Sequence, residues 1–126
     1  MKNNSGFSLV ELIVVIAIMA ILAGVAGPTY TKYIAKANDA KVISQLDEVK
    51  TAAISAGVDK GVVVEEITIT ITSKVGSAIA TDETSVTATE INKFLTTADS
   101  WKINFTGTSY EGNATLKWTA STGKWQ

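Results

Sequence analysis

The sequence predicts an α+β fold in which one long N-terminal helix is followed by a small antiparallel sheet. An almost unbroken apolar run extends from Phe7 to Gly27. From Tyr30 to Ala56, apolar residues recur at spacings of three and four, which is the period of an α-helix. After Gly57 the chain becomes rich in Thr, Val and Ile, and short segments alternate apolar and polar side chains as half-buried strands do.

Composition excludes several classes of function. The 126 residues contain no Cys and no His, which excludes disulfides, thiol nucleophiles, His general bases and the usual zinc ligands. The formal net charge is −1, so nothing predicts the basic face that nucleic-acid binding requires. The adjacent acidic pairs Glu65-Glu66 and Asp82-Glu83 are interpreted as solvated surface rather than as a calcium site. We predict no catalytic residue, no metal and no cofactor.

The apolar run from Phe7 to Gly27 is long enough to cross a membrane, since as a helix it would extend about 31 Å. One interpretation is a secretory signal peptide cleaved after Ala26, and another is a plain anchor with Lys2 in the cytoplasm. Both leave Glu11 unexplained. An ionised side chain at the centre of a bilayer costs roughly 2.5–3.5 kcal/mol on insertion scales.

A third interpretation rests on the hexapeptide Gly6-Phe7-Ser8-Leu9-Val10-Glu11 and the apolar run after it. This stretch resembles the class III leader of type IV pilins and the related pseudopilins. The resemblance implies cleavage between Gly6 and Phe7 by a prepilin peptidase, N-methylation of Phe7, and retention of the apolar segment. It also implies the type IV pilin fold, in which a long N-terminal helix packs under a small antiparallel sheet.

Cleavage at this position would also explain Glu11. The new α-amino group of Phe7 would lie four residues before Glu11, on the same face of a helix. Opposite unit charges about 4 Å apart attract by roughly 4 kcal/mol at an effective dielectric constant near 20. Glu11 is therefore predicted to set the register of assembly, paired with Phe7 of its own chain or of a neighbouring subunit.

A kink is predicted where the apolar segment ends. Pro28 lacks an amide hydrogen and its ring crowds the carbonyl of Gly24, while Gly24 and Gly27 each lower helix propensity by about 1 kcal/mol relative to Ala. We expect the helix to kink or melt locally there, with its apolar half projecting; a simple domain boundary is the alternative. The predicted segments are a leader at 1–6, an apolar helix at 7–27, an amphipathic helix at 28–57 and a β-rich domain at 58–126.

The amphipathic helix is expected to pack one apolar stripe under the sheet and to end at Gly57, a residue type that commonly follows a helix. Lys and Asp side chains occupy its other faces. The predicted buried stripe consists of Tyr30, Tyr33, Ile34, Ala37, Ile43, Leu46, Val49 and Ala53.

The C-terminal part is predicted to form three or four antiparallel strands and one short helix. Val86–Leu95 is interpreted as a turn entering that helix, with Thr87 and Glu90 at the spacing of a capping box. The three Trp residues are expected to pack on the sheet rather than to form a ligand platform. Strands are predicted at Glu66–Thr72, Trp101–Phe105 and Ala114–Thr119.

The resemblance implies a structural subunit that polymerises into a homo-oligomeric surface filament, a type IVa-like major pilin. It implies four kinds of partner: the prepilin peptidase, an inner-membrane platform, an assembly ATPase and sister pilins. The precursor would lie in the inner membrane, and the filament would be extracellular. The absence of Cys departs from many Gram-negative pilins, whose C-terminal loop a disulfide closes. Alternatives are a pseudopilin of a type II secretion or competence system, and a secreted carbohydrate-binding module; the role of the filament stays open.

Overall fold

A computed structural model describes residues 6–126, so residues 1–5 of the predicted leader lie outside the described residues. The described residues fall into two compact units, unit 1 up to Ile34 and unit 2 from Ala35 to Gln126. The predicted α+β fold, a long N-terminal helix with a small antiparallel sheet, is confirmed. Its elements are α1 (Leu9–Lys60), β1 (Glu66–Thr72), β2 (Val75–Thr81), α2 (Ala88–Asn92) and β3 (Thr115–Thr119).

The sheet belongs to unit 2 and has the order β2-β1-β3, with both neighbours antiparallel to β1. The predicted bounds of β1 are confirmed, and its alternation places Ile67 and Ile69 at 0% exposure. Ile69 lies opposite Ile79 of β2 on one side and Leu116 of β3 on the other. These cross-strand pairs make β1 the centre of the core.

Strand β2 is absent from the sequence-based prediction. Its sequence VGSAIAT is rich in small residues that carry little strand propensity. At Gly76 an added Cβ would lie 2.7 Å from the carbonyl oxygen of Trp101, so this close approach of two backbones requires Gly. Tertiary packing therefore determines this strand.

The buried stripe of α1 was predicted only in part. Leu46, Val49 and Ala53 are buried as expected, but the buried positions begin at Val42 rather than Ile43. The remaining predicted members are exposed, because the part of α1 that the core of unit 2 covers starts at Val42 and continues through residues three and four apart. The exposed members are Tyr30, Tyr33, Ile34, Ala37 and Ile43.

The predicted end of the helix at Gly57 was wrong, because α1 continues to Lys60. Gly61 has φ +72° and ends the helix instead. The amide of Gly61 donates to the carbonyl of Val58 at 3.0 Å, and that of Val62 to the carbonyl of Gly57 at 2.9 Å. This pair of hydrogen bonds is a Schellman motif, for which Gly at the left-handed position is favoured.

Gly57 has a packing role instead, and we expect Gly57→Ala to destabilise the protein. An added Cβ would lie 2.8 Å from Val64 Cγ2 and 3.0 Å from the carbonyl oxygen of Val62. Overpacking typically costs about 1–3 kcal/mol, and Ala recovers about 1 kcal/mol of helix propensity, so the free energy of unfolding should fall by about 1 kcal/mol. Denaturant unfolding of the full chain in detergent, followed by Trp fluorescence, measures this loss.

The double variant Gly57→Ala with Val64→Ala provides the control for that prediction. Removing the Val64 methyl groups makes room for the new Cβ, so the two losses should be less than additive. Strict additivity would mean that the crowding at Val64 is not the cause.

The predicted strand Trp101–Phe105 was also wrong in its backbone structure. Only Asn104 forms an isolated bridge, with Val75, while the surrounding residues are turns or irregular. The alternation was nevertheless informative, since Trp101, Ile103 and Phe105 are buried. The segment lies along β2, where the amide of Gly76 donates to the carbonyl of Ile103 at 3.0 Å. A period of two therefore predicted burial correctly but not a strand.

Helix α2 forms as predicted, but its expected capping box does not. Thr87 is the N-cap residue and makes no side-chain cap hydrogen bond. Glu90 instead pairs with Lys93 at 2.8 Å and with Lys60 at 3.5 Å. The hydrogen bond from Lys93 is the main cause that holds the pKa of Glu90 below its usual range. These contacts connect the end of α1 to α2.

Hydrogen bonds hold the C-terminal segment, which has no Cys to form a disulfide. The backbone groups of Lys117 and Gln126 exchange two hydrogen bonds of 2.8 Å. The backbones of Trp118 and Trp125 form an isolated antiparallel β-bridge. The amide of Gly123 donates to the carbonyl of Thr119 at 2.8 Å, which closes the intervening turn. The chain end is thus paired to β3.

Candidate functional site

The candidate site is the start of α1, where the predicted cleavage and assembly residues lie. Gly6, Phe7 and Ser8 are non-helical, and the helix begins at Leu9. The amide of Ser8 donates to Glu11 Oε2 at 3.0 Å, and the amide of Glu11 donates to Ser8 Oγ at 3.2 Å. These two reciprocal bonds form a capping box with Ser8 as the N-cap residue.

The capping box is a role for Ser8 and Glu11 that our sequence reasoning missed. The signal was present, since Ser followed three residues later by Glu just before an apolar run is the standard pattern of a helix start. The interactions satisfy two amides that a helix start leaves without partners, and they place a carboxylate near the positive end of the helix dipole. Glu11 thus has a structural role before any cleavage creates an amine.

The predicted scissile bond joins two exposed residues outside the helix. The side chain of Phe7 is 94% exposed. A Cβ added at Gly6 would have no described atom within 4 Å. The chain at this point is therefore open to an enzyme, and steric crowding within the described residues does not explain why Gly stands at position 6.

The apolar part of α1 in unit 1 is uncovered. Every large hydrophobic side chain from Phe7 to Val25 is at least 50% exposed. The helix is long and apolar enough to cross a membrane, and its most apolar window has a mean hydropathy of 2.9 and no buried share. An apolar surface of this extent requires either lipid or other protein chains around it.

The residues of the predicted kink remain helical in the structure. α1 continues through Gly24, Gly27 and Pro28, and both glycines face open space. The hydroxyl of Thr29 donates to the carbonyl of Val25 at 3.2 Å, one turn earlier, beside the position where Pro28 offers no amide hydrogen. The kink stays a prediction.

The acidic pairs and the tryptophans considered in the sequence analysis take part in local hydrogen bonds or in the core. Asp82 Oδ1 accepts hydrogen bonds from the amides of Glu65 and Glu66 at 3.2 and 3.1 Å. Trp101 and Trp118 are buried in the core of unit 2. Within residues 6–126, no group of three or more His, Cys, Asp or Glu is placed to hold a metal ion.

Comparison with known proteins supports the site from the sequence side. Residues 1–27 match the family model described as the prokaryotic N-terminal methylation motif. No curated protein and no solved structure matches the chain significantly. The match confirms the resemblance to a class III leader and supports a pilin-like or pseudopilin-like structural protein. Such a leader implies processing by a prepilin peptidase and fits a membrane-anchored precursor.

Proposed function

We propose that this pilin-like chain is the structural subunit of a type IV pilus, which polymerises through the apolar part of α1 once the leader is removed. The observation that carries the proposal is the uncovered apolar surface from Phe7 to Val25, which directly follows the leader motif. A single chain in water leaves this surface exposed, so a stable state requires an apolar environment supplied by lipid or by other chains.

We propose that the apolar helix lies first in the membrane and later in the filament core. The apolar helix first anchors the precursor in the inner membrane. A prepilin peptidase then cleaves between Gly6 and Phe7, and the new amine of Phe7 is N-methylated. An inner-membrane platform and a cytoplasmic ATPase would finally transfer the subunit from lipid into a bundle of sister helices in an extracellular filament. Because both surroundings are apolar, the transfer exchanges one favourable environment for another.

The geometry of Glu11 supports its proposed role in register. Oε2 is occupied by the amide of Ser8. Cleavage before Phe7 leaves that bond in place, so Oε1 can accept from the Phe7 ammonium of the same chain or of a neighbouring subunit. A carboxylate that holds one amide and one ammonium is well compensated in an apolar surrounding.

The proposed segments follow from the same argument. Residues 1–6 are the leader, 7–27 form the filament core, and Gly24, Gly27 and Pro28 allow the helix to bend during assembly. From Ala35 onwards α1 belongs to unit 2, so the globular domain includes this part of the helix together with residues 61–126.

N-terminal sequencing and intact-mass measurement of the processed chain, with electron microscopy of sheared surface fibres, test this proposal. We expect a chain that begins with N-methylated Phe7 and is present in the fibres. A chain beginning at Gly27 would identify a disposable signal peptide and refute the proposal. A correctly processed chain in cells that carry no such fibres would instead favour a pseudopilin.

A further inference from the structure

Just beyond the apolar run, three residues of unit 1 combine a long or aromatic apolar part with a polar end: Tyr30, Lys32 and Tyr33, here called the collar. Both tyrosines are 67% exposed, although the sequence pattern had placed them in the core. They are three residues apart and so lie on neighbouring positions of one helix face. Within the described residues, Lys32 makes no ion pair.

The position of the collar matches the thickness of a membrane. From Leu9, where α1 begins, to Tyr30 the helix rises by about 31 Å, and the hydrocarbon core of a bilayer is about 30 Å thick. Between these two residues Glu11 is the single charged side chain, and Lys32 is the first cation after the span. With the start of α1 at the cytoplasmic surface, the collar lies at the opposite surface.

We propose that the collar binds lipid headgroups at the outer surface of the inner membrane and so fixes the depth of the precursor before assembly. Tyr rings favour this boundary because their apolar body and polar tip suit its two sides. The Lys32 stem can lie along the apolar side while its ammonium contacts an anionic lipid phosphate. The inference rests on the proposed membrane-anchored precursor.

Charge favours lipid over a sister chain as the partner of this surface. In unit 1 of a second copy, the described residues offer one carboxylate, Glu11, which lies about 30 Å along the helix from Lys32. The next carboxylate along the sequence, Asp39, already accepts a hydrogen bond from the amide of Ser109 at 2.8 Å. An anionic headgroup supplies the opposite charge at the level where Lys32 lies.

The depth of the full-length chain in lipid vesicles tests the collar. The chain has no Cys, so Val25→Cys introduces a single thiol for a fluorescent label one turn inside the span. We expect the label to resist an aqueous quencher in vesicles of phosphatidylcholine with phosphatidylglycerol. Tyr30→Gln combined with Tyr33→Gln should increase the quenching, because the helix loses its aromatic anchor while Gln keeps high helix propensity.

The charge of Lys32 has a separate readout and a matched control. In the parent labelled chain, quenching should be lower in vesicles that contain phosphatidylglycerol than in phosphatidylcholine alone. Lys32→Gln should lose this difference, whereas Lys124→Gln, which changes an exposed lysine of unit 2, should keep it.

The outcomes separate the collar from the proposed function. Unchanged quenching in tyrosine variants that still float with the vesicles would overturn the collar and leave the membrane-anchored pilin standing. Normal depth together with lost fibres in cells would assign the tyrosines to contacts between sister subunits, which also overturns lipid binding. A parent chain that does not float with vesicles would overturn both proposals.

Discussion

Replacing Glu11 with Ala is expected to leave leader cleavage intact and to remove most filament assembly. The scissile bond lies outside the helix, so the peptidase can still reach it. The Phe7 ammonium would lose its carboxylate partner in the apolar filament core. Loss of an attraction of about 4 kcal/mol corresponds to a roughly thousandfold weaker association of each subunit. Immunoblots of processed subunit and yields of sheared fibres measure the two steps separately.

Two further variants separate the charge of Glu11 from its helix cap. Glu11→Gln keeps a residue that can complete the capping box but removes the charge. Ser8→Ala removes the cap hydroxyl, at a typical cost of about 1 kcal/mol, but keeps the charge. We expect Glu11→Gln to fail in filament assembly as Glu11→Ala does. Ser8→Ala should still assemble. Abundant filaments from Glu11→Gln would refute the role of charge and leave the cap as the function of this residue.

Replacing Gly6 with Leu is expected to stop processing, so that the uncleaved precursor accumulates in the membrane and no filament forms. Nothing among the described residues lies within 4 Å of a Cβ at this position, so the chain itself should tolerate the larger side chain. The block would therefore arise in the peptidase, which must accommodate the residue before the cleaved bond. Electrophoretic mobility and N-terminal sequencing of the membrane fraction measure it.

Gly27→Ala is the matched control for Gly6→Leu. Gly27 also faces open space, and Ala favours the helix it belongs to, so the precursor should be processed normally. Efficient cleavage of the Gly6→Leu chain would contradict the assigned cleavage site. Failure of both variants would indicate a general defect in membrane insertion.

Local sequence patterns predicted those elements of unit 2 in which apolar and polar side chains alternate. The alternation in Glu66–Thr72 gave β1 with its bounds, because every second side chain enters the core. Strand β2 has no such alternation of large apolar residues, and it forms because β1 and the segment around Ile103 offer hydrogen bonds on both sides of it. Its existence is a property of its neighbours.

The start of α1 shows the same division at the candidate site. The hexapeptide from Gly6 to Glu11 and the apolar run were sufficient to recognise the leader. Recognition by a peptidase and insertion into a membrane both depend on short contiguous segments of sequence. The capping box also follows from a spacing of three residues, although it was overlooked. The sequence did not predict what each helix face contacts, because helical periodicity is the same whether the apolar face packs on a core, on lipid or on a partner chain.

The sequence by itself thus determined the leader motif, the membrane-length helix and the central strand, since each is visible in composition or in a pattern of neighbouring side chains. Only the tertiary structure decided which helix face is buried and where the helix ends. The buried stripe passes through Val42 and leaves Tyr30 and Tyr33 exposed, while Gly57 packs against Val64 and Gly61 ends the helix. These outcomes depend on residues distant in the chain or on backbone conformation, which local periodicity does not encode.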